Sequence, residues 1–159
     1  MRPYLYLLIM IIICIILPTN SPCAENGKWE IMLELDGYFN NIVHEGNYVW
    51  GAKNDGAIRY NKTDRSYTHY TTENGLPDNI TGNNTVLCVT IDKNGLKWFG
   101  FPRGIASFND TTWTAYASED IYNCRSFNNV TVDHNNIKWF TADDGIVAYN
   151  DTSFSFLMY

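Results

Sequence analysis

Among the 159 residues, acid–base, nucleophilic or metal chemistry would have to come from three histidines, four cysteines and a scatter of aspartates. His44, His69 and His134 each lack a second ligand or a nucleophile at useful spacing, so they read as surface or packing residues. Cys14 and Cys23 fall near the N-terminus, which leaves Cys88 and Cys124 in the body of the chain, either as a bridge or as two buried thiols. Asp92 and Asp133 each stand six residues before a tryptophan and inside an Asn- or Gly-rich turn. A turn aspartate at such a place caps its own backbone. His44 occupies the same offset before Trp50. No catalytic residue, metal site or cofactor is expected from these patterns.

Charged residues in short turns are better candidates for contact with a ligand. Lys53 and Asp55 lie in "AKND", Arg103 in "FPR", and Asp143 and Asp144 in "ADD". All three turns follow a Trp-bearing segment at the same distance, yet their polar residues differ, which is how repeat folds build binding faces. The connectors "TENGLPDN" and "SEDIYN" are expected on the same rim.

What must hold these turns is a repeat. "LKWFGFPRGIASFND" (96–110) and "IKWFTADDGIVAYND" (137–151) match at Trp, Phe, Gly, Ile, an aromatic, Asn and Asp. A third copy is anchored on Trp50: Gly56, Gly104 and Gly145 follow their tryptophans by six residues, and Tyr60, Phe108 and Tyr149 by ten. The anchors are spaced 48 and 41 residues apart, and the difference falls in polar turn sequence, where extra length costs little. Each unit reads as four short strands: "VLCVTID" alternates, "KNG" is a hairpin turn, and "LKWFGF", "IASFND" and "TTWTAYA" follow. Four antiparallel strands in about 40 residues make a propeller blade. Trp50, Trp98 and Trp139 are then wedge residues between blades. The glycines answer a positive φ or a close backbone approach, and Tyr67, Tyr70, Trp113, Tyr116 and Phe154 of the fourth strands complete the packing.

The first 24 residues are set apart. Arg2, an apolar run from Leu5 to Leu17 and "PTNSPCAE" have the layout of a signal peptide, and the run is short for a membrane span. Cleavage near Cys23 or Ala24 is expected, with lipidation of Cys23 as the alternative. Residues 25–159 would form the folded part, without a membrane span. The chain carries a formal charge of −6 and loses Arg2 with the leader. An acidic field of this kind repels polyphosphates and argues against nucleic acid. Asn-x-Thr triplets at Asn61, Asn79, Asn83, Asn109, Asn129 and Asn150 follow from turn chemistry and identify nothing.

"YTTENGLPDNIT" (70–81) followed by "VTIDKNGLKWFG" resembles the repeat of the two-component regulator propellers, over residues 29–159. The resemblance implies an all-β fold: a partial β-propeller of three four-stranded blades plus an N-terminal strand. That strand would hold Trp29, with Gly37, Asn41 and Ile42 at the offsets of Gly75, Asn79 and Ile80. "EDIYNC" (119–124) departs from the Gly-Leu-Pro connector. The family implies a bacterial, exported, periplasmic or extracellular sensor module that binds a glycan or other small ligand. Its partners would be further propeller blades or a membrane histidine kinase. Propellers close with about 4 to 8 blades, so the chain is expected to be a piece of a longer propeller or a subunit that closes its ring by oligomerising. An extracytoplasmic polysaccharide lyase or hydrolase with its catalytic residues in other blades, and an assembly scaffold, stay open as alternatives.

Overall fold

The computed structural model describes residues 36–158. The expected signal peptide and the Trp29 strand lie outside them. Three antiparallel meanders of four strands follow one another along the chain. The first sheet holds β1 (Phe39–Glu45), β2 (Tyr48–Lys53), β3 (Gly56–Asn61) and β4 (Tyr67–Tyr70). The second holds β5 (Cys88–Ile91), β6 (Lys97–Phe101), β7 (Gly104–Phe108) and β8 (Trp113–Ala117). The third holds β9 (Asn129–Val132), β10 (Lys138–Ala142), β11 (Gly145–Tyr149) and β12 (Phe154–Met158). The first strands lie side by side, β1 on β5 and β5 on β9, so each sheet radiates from a common inner edge.

The register repeats with the sequence. Trp50 is flanked by Val43 and Arg59, Trp98 by Thr90 and Ser107, and Trp139 by Thr131 and Ala148. Two apolar cores result, one on each side of the middle sheet. Every residue of β6 and β7 is buried, because a strand covered on both faces has no solvent side. In the first core Trp50 stacks on Tyr70 at 5.8 Å and meets Phe99 and Phe108 of the next sheet edge-on at 6.0 and 5.9 Å. In the second, Trp98 stacks on Tyr116 at 6.2 Å and meets Phe140 edge-on at 6.3 Å and Tyr149 at 5.3 Å. Trp50 and Trp98 thus lie between two sheets, whereas Trp139 is only partly covered.

The three turn glycines do the same job. Gly56, Gly104 and Gly145 have φ of 144, 158 and 152°, and an added Cβ would stand 2.3 Å from the carbonyl oxygen of Tyr70, Tyr116 and Leu157 respectively. The fourth strand therefore approaches each of them too closely for any side chain.

The connector 71–87 buries Leu76 from its loop, and Ile80 from the single helical turn α1 (Asp78–Thr81), in the first core. The divergent connector does the same for the second core with Ile121, Cys124 and Phe127. Cys88 and Cys124 are free, buried thiols. Asn61, Asn109 and Asn150 accept backbone N–H bonds from the residues that follow them, as turn chemistry predicts.

Three expectations need correction. Asn41 and Ile42 do not repeat the helical connector of Asn79 and Ile80; they belong to β1, where Ile42 is exposed. The chain before the first blade reaches its inner strand sooner than the other connectors do. Tyr67 is 49% exposed, because its counterparts Trp113 and Phe154 pack toward a preceding blade. Third, His44 is exposed and is not the counterpart of Asp92 and Asp133. The β1–β2 turn is Gly46-Asn47, one residue shorter than the turn after Asp92, so the carboxylate place passes to Glu45.

Candidate functional site

The β2–β3, β6–β7 and β10–β11 turns and the inter-blade connectors form one hydrogen-bonded rim. Val86 N–H donates to the Lys53 carbonyl at 2.8 Å, and Arg103 N–H to the Ile80 carbonyl at 3.1 Å. Ser118 N–H donates to Arg103, Ser126 N–H to Pro102 and Asp143 N–H to Arg125, at 2.9, 2.9 and 3.0 Å. Each turn is thus braced by the connectors beside it, and side chains on it stand on a rigid base.

The candidate residues divide between engaged and open. Lys53 is 2% exposed; its ammonium donates to the Asp36 carbonyl at 2.6 Å and lies 3.1 Å from Asp55. Its charge is spent inside the fold, where it orients Asp55, whose carboxylate is half exposed. Arg103 is exposed on the middle turn. Asp143 and Asp144 are exposed on the third turn and line an open cleft of about 540 Å³ with Thr141, Ala142, Gly145 and Ile146. Asn128 holds Asp143 through its side-chain amide at 3.4 Å. Asp144 also faces Cys124: burial first, and then this carboxylate, push the thiol above its ordinary range. Thus the rim brings Lys53 to Asp55 and Asp143 beside Asp144, with Arg103 one blade away.

A second constellation was missed in the sequence. At each junction a lysine crosses from one blade to the next. Lys97, 1% exposed, lies 3.0 Å from Glu45 of the first blade and 2.8 Å from Asp110 of its own. Lys138, fully buried, lies 3.3 Å from Asp92 of the middle blade and pairs with Asp151 of its own. The receiving carboxylate also accepts the indole N–H of its own blade's tryptophan: Trp50 to Glu45 at 3.2 Å and Trp98 to Asp92 at 3.1 Å. Each ammonium sits near an indole face as well, 5.6 Å from Trp50 for Lys97 and 5.3 Å from Trp98 for Lys138. The signal was the Lys-Trp pair shared by two copies, together with the aspartate that closes "FND" and "YND".

Asp92 and Asp133 cap their turns as expected, Asp92 taking the N–H of Asn94 and Leu96 and Asp133 those of Asn135 and Ile137. Burial alone would raise the Asp92 carboxyl. The Trp98 indole, the two turn N–H groups and the Lys138 charge outweigh it and hold Asp92 below the ordinary carboxylate range. The Trp139 indole is the main cause that lowers Asp133.

Solved structures place this arrangement. The chain superposes on virginiamycin B lyase from Staphylococcus aureus with a TM-score of 0.59 at 20% identity, covering 79% of this chain and 42% of that one. PorZ, a surface component of the type-IX secretion system of Porphyromonas gingivalis, gives 0.55 at 18% identity over 77% of this chain and 21% of its own. The extracellular domain of a hybrid two-component system from B. thetaiotaomicron gives 0.52 at 21% identity over 72% of this chain and 14% of its own. The fold is a β-propeller. Its three blades span less than half of each of these neighbours. No protein-family model matches the propeller's sequence, and comparison with curated proteins returns no match. Among the described residues no helix is long and apolar enough to cross a membrane.

Proposed function

We propose that the chain is an exported, non-catalytic recognition module whose loop rim binds a polyhydroxylated ligand such as an oligosaccharide. The observation that carries this reading is the set of exposed charges, Arg103, Asp143 and Asp144, on turns that the connectors brace from behind. Carboxylates accept hydrogen bonds from hydroxyl groups and a guanidinium donates them to ring and hydroxyl oxygens, so a mixed-sign rim suits a neutral polyol. The chain's negative charge disfavours a polyanion. At the level of fold, the likeness to an extracellular domain of a hybrid two-component system supports a sensing role. A membrane histidine kinase and further blades are the partners this reading implies.

A thermal-shift screen with neutral oligosaccharides tests it. Binding should raise the melting temperature, and the D143N/D144N and R103A variants should lose that shift while their unliganded melting temperatures stay unchanged. No shift with any glycan overturns the reading, and turnover of one would show an enzyme instead.

A further inference from the structure

The open face of the third blade carries the receiving half of a contact that the chain already makes twice. On the middle blade, one oxygen of Asp92 caps the turn while the other accepts Trp98 Nε1 at 3.1 Å and Lys138 Nζ at 3.3 Å. On the third blade, one oxygen of Asp133 caps the turn and the other accepts Trp139 Nε1, again at 3.1 Å. Among the described residues no lysine stands within ion-pair distance of Asp133. The indoles of Trp50 and Trp98 are buried, whereas Trp139 is only partly covered. The place held by Tyr70 and Tyr116 on the other blades is taken by Leu157, which is 54% exposed. Thr141 and Ile146, which line the cleft described above, sit on this same face of the sheet. Apolar surface, an indole with one free side and a carboxylate already oriented toward it form a socket for a cation on an apolar strand.

We propose that this face docks a further propeller blade, outside residues 36–158, whose second strand carries a lysine two residues before an aromatic facing Trp139, as Lys97 precedes Phe99 and Lys138 precedes Phe140. That lysine would lie over Trp139 and bond Asp133, as Lys97 and Lys138 do at the two junctions present. A second copy of this chain is a poor occupant. The blade face it could offer is that of the first blade, where Val49 stands in place of Lys97 and Lys138, and Gly51 in place of Phe99 and Phe140. The Phe39 ring already covers Gly51, 2.5 Å from where a Cβ would be. This inference concerns the stacking of blades and stands whether or not the rim binds a ligand.

The test extends the full chain at its C-terminal end with a copy of residues 118–159 whose own tryptophan is replaced by phenylalanine. Exposure of Trp139 is read by acrylamide quenching, as the difference from the W139F variant. The extension should shield Trp139. Replacing the copy's lysine at the position of Lys138 by methionine should weaken docking about tenfold, the scale of one hydrogen bond to a charged group. D133N in the host, which leaves the copy intact, should weaken it as much, and the two changes together should add little more. The proposal fails if Trp139 stays exposed in the extended chain, or if lysine and methionine copies shield equally. It also fails if sedimentation shows the unextended chain pairing with itself and Trp139 shielded.

Discussion

Replacing Asp92 by asparagine isolates the energetic weight of the lysine that joins the second and third blades. The two carboxylate oxygens serve two backbone N–H groups, the Trp98 indole and the Lys138 ammonium, all of them donors. Asparagine has the same shape but only one acceptor. If its oxygen caps the turn, its NH2 points at Trp98 Nε1 and Lys138 Nζ, donor against donor. Lys138 is fully buried and the Asp92 side chain is 1% exposed, so water does not screen the loss. Removing one partner of a buried pair costs about 3 to 5 kcal/mol. Asp151 remains beside Lys138, half exposed, which places the expected loss near the lower end, about 3 kcal/mol. Urea unfolding at pH 7, followed by tryptophan fluorescence, measures it. D133N is the control, since Asp133 has the same turn and indole bonds but no lysine partner among the described residues, and it should cost clearly less. The pH dependence follows in sign. Asp92 and Asp133 are both held below their ordinary value of 3.8, so their contribution is complete above that value and is lost as the pH falls through the lower folded-state value. D92N should therefore flatten the acid limb of the stability profile. A loss under about 1 kcal/mol, or one equal to that of D133N, would refute the assignment of Lys138 to the junction.

The tryptophans should not be equivalent. Trp98→Ala is expected to cost about 3 to 5 kcal/mol in the same urea experiment, and Trp139→Ala less than half of that, because among the described residues Trp98 is enclosed by a following blade and Trp139 is not. Gly104→Ala should cost about 2 kcal/mol or more, since its Cβ would stand 2.3 Å from the Tyr116 oxygen and 2.8 Å from Ile80; a calorimetric scan with an unchanged melting temperature would contradict the close approach. The Cys88 thiol is pushed by burial to about 12 from an ordinary 9.0, so it should ignore a thiol-reactive disulfide reagent at pH 8 until the protein is denatured. Because the unfolded thiol ionises and the folded one does not, this group withdraws stability as the pH rises through 9.0.

How far the sequence could be read depended on whether a residue's role was repeated and local. Trp50 and Trp98, and the glycines six residues after each tryptophan, were legible because packing between and within sheets demands the same type at the same offset each time. The failure at His44 has a simple cause: one residue fewer in the β1–β2 turn moves the carboxylate place to Glu45. An offset from the tryptophan counts residues, while the indole N–H seeks an acceptor in space. Lys97 and Lys138 were overlooked for a different reason. A lysine in a strand is ordinarily taken for a solvated residue, and only the acid of the preceding blade turns it into a buried one. That acid lies about 50 residues earlier for both lysines, Glu45 before Lys97 and Asp92 before Lys138. The rim fared similarly, for the turns were placed by topology, but whether a charge on them is free depends on distant backbone. Lys53 is occupied by the carbonyl of Asp36, a contact that no periodicity announces. The same logic gives Asp133 its meaning. A carboxylate whose two counterparts both hold a cation from the next blade is best understood by what completes them, and on the third blade that place is held open by Trp139 and Leu157.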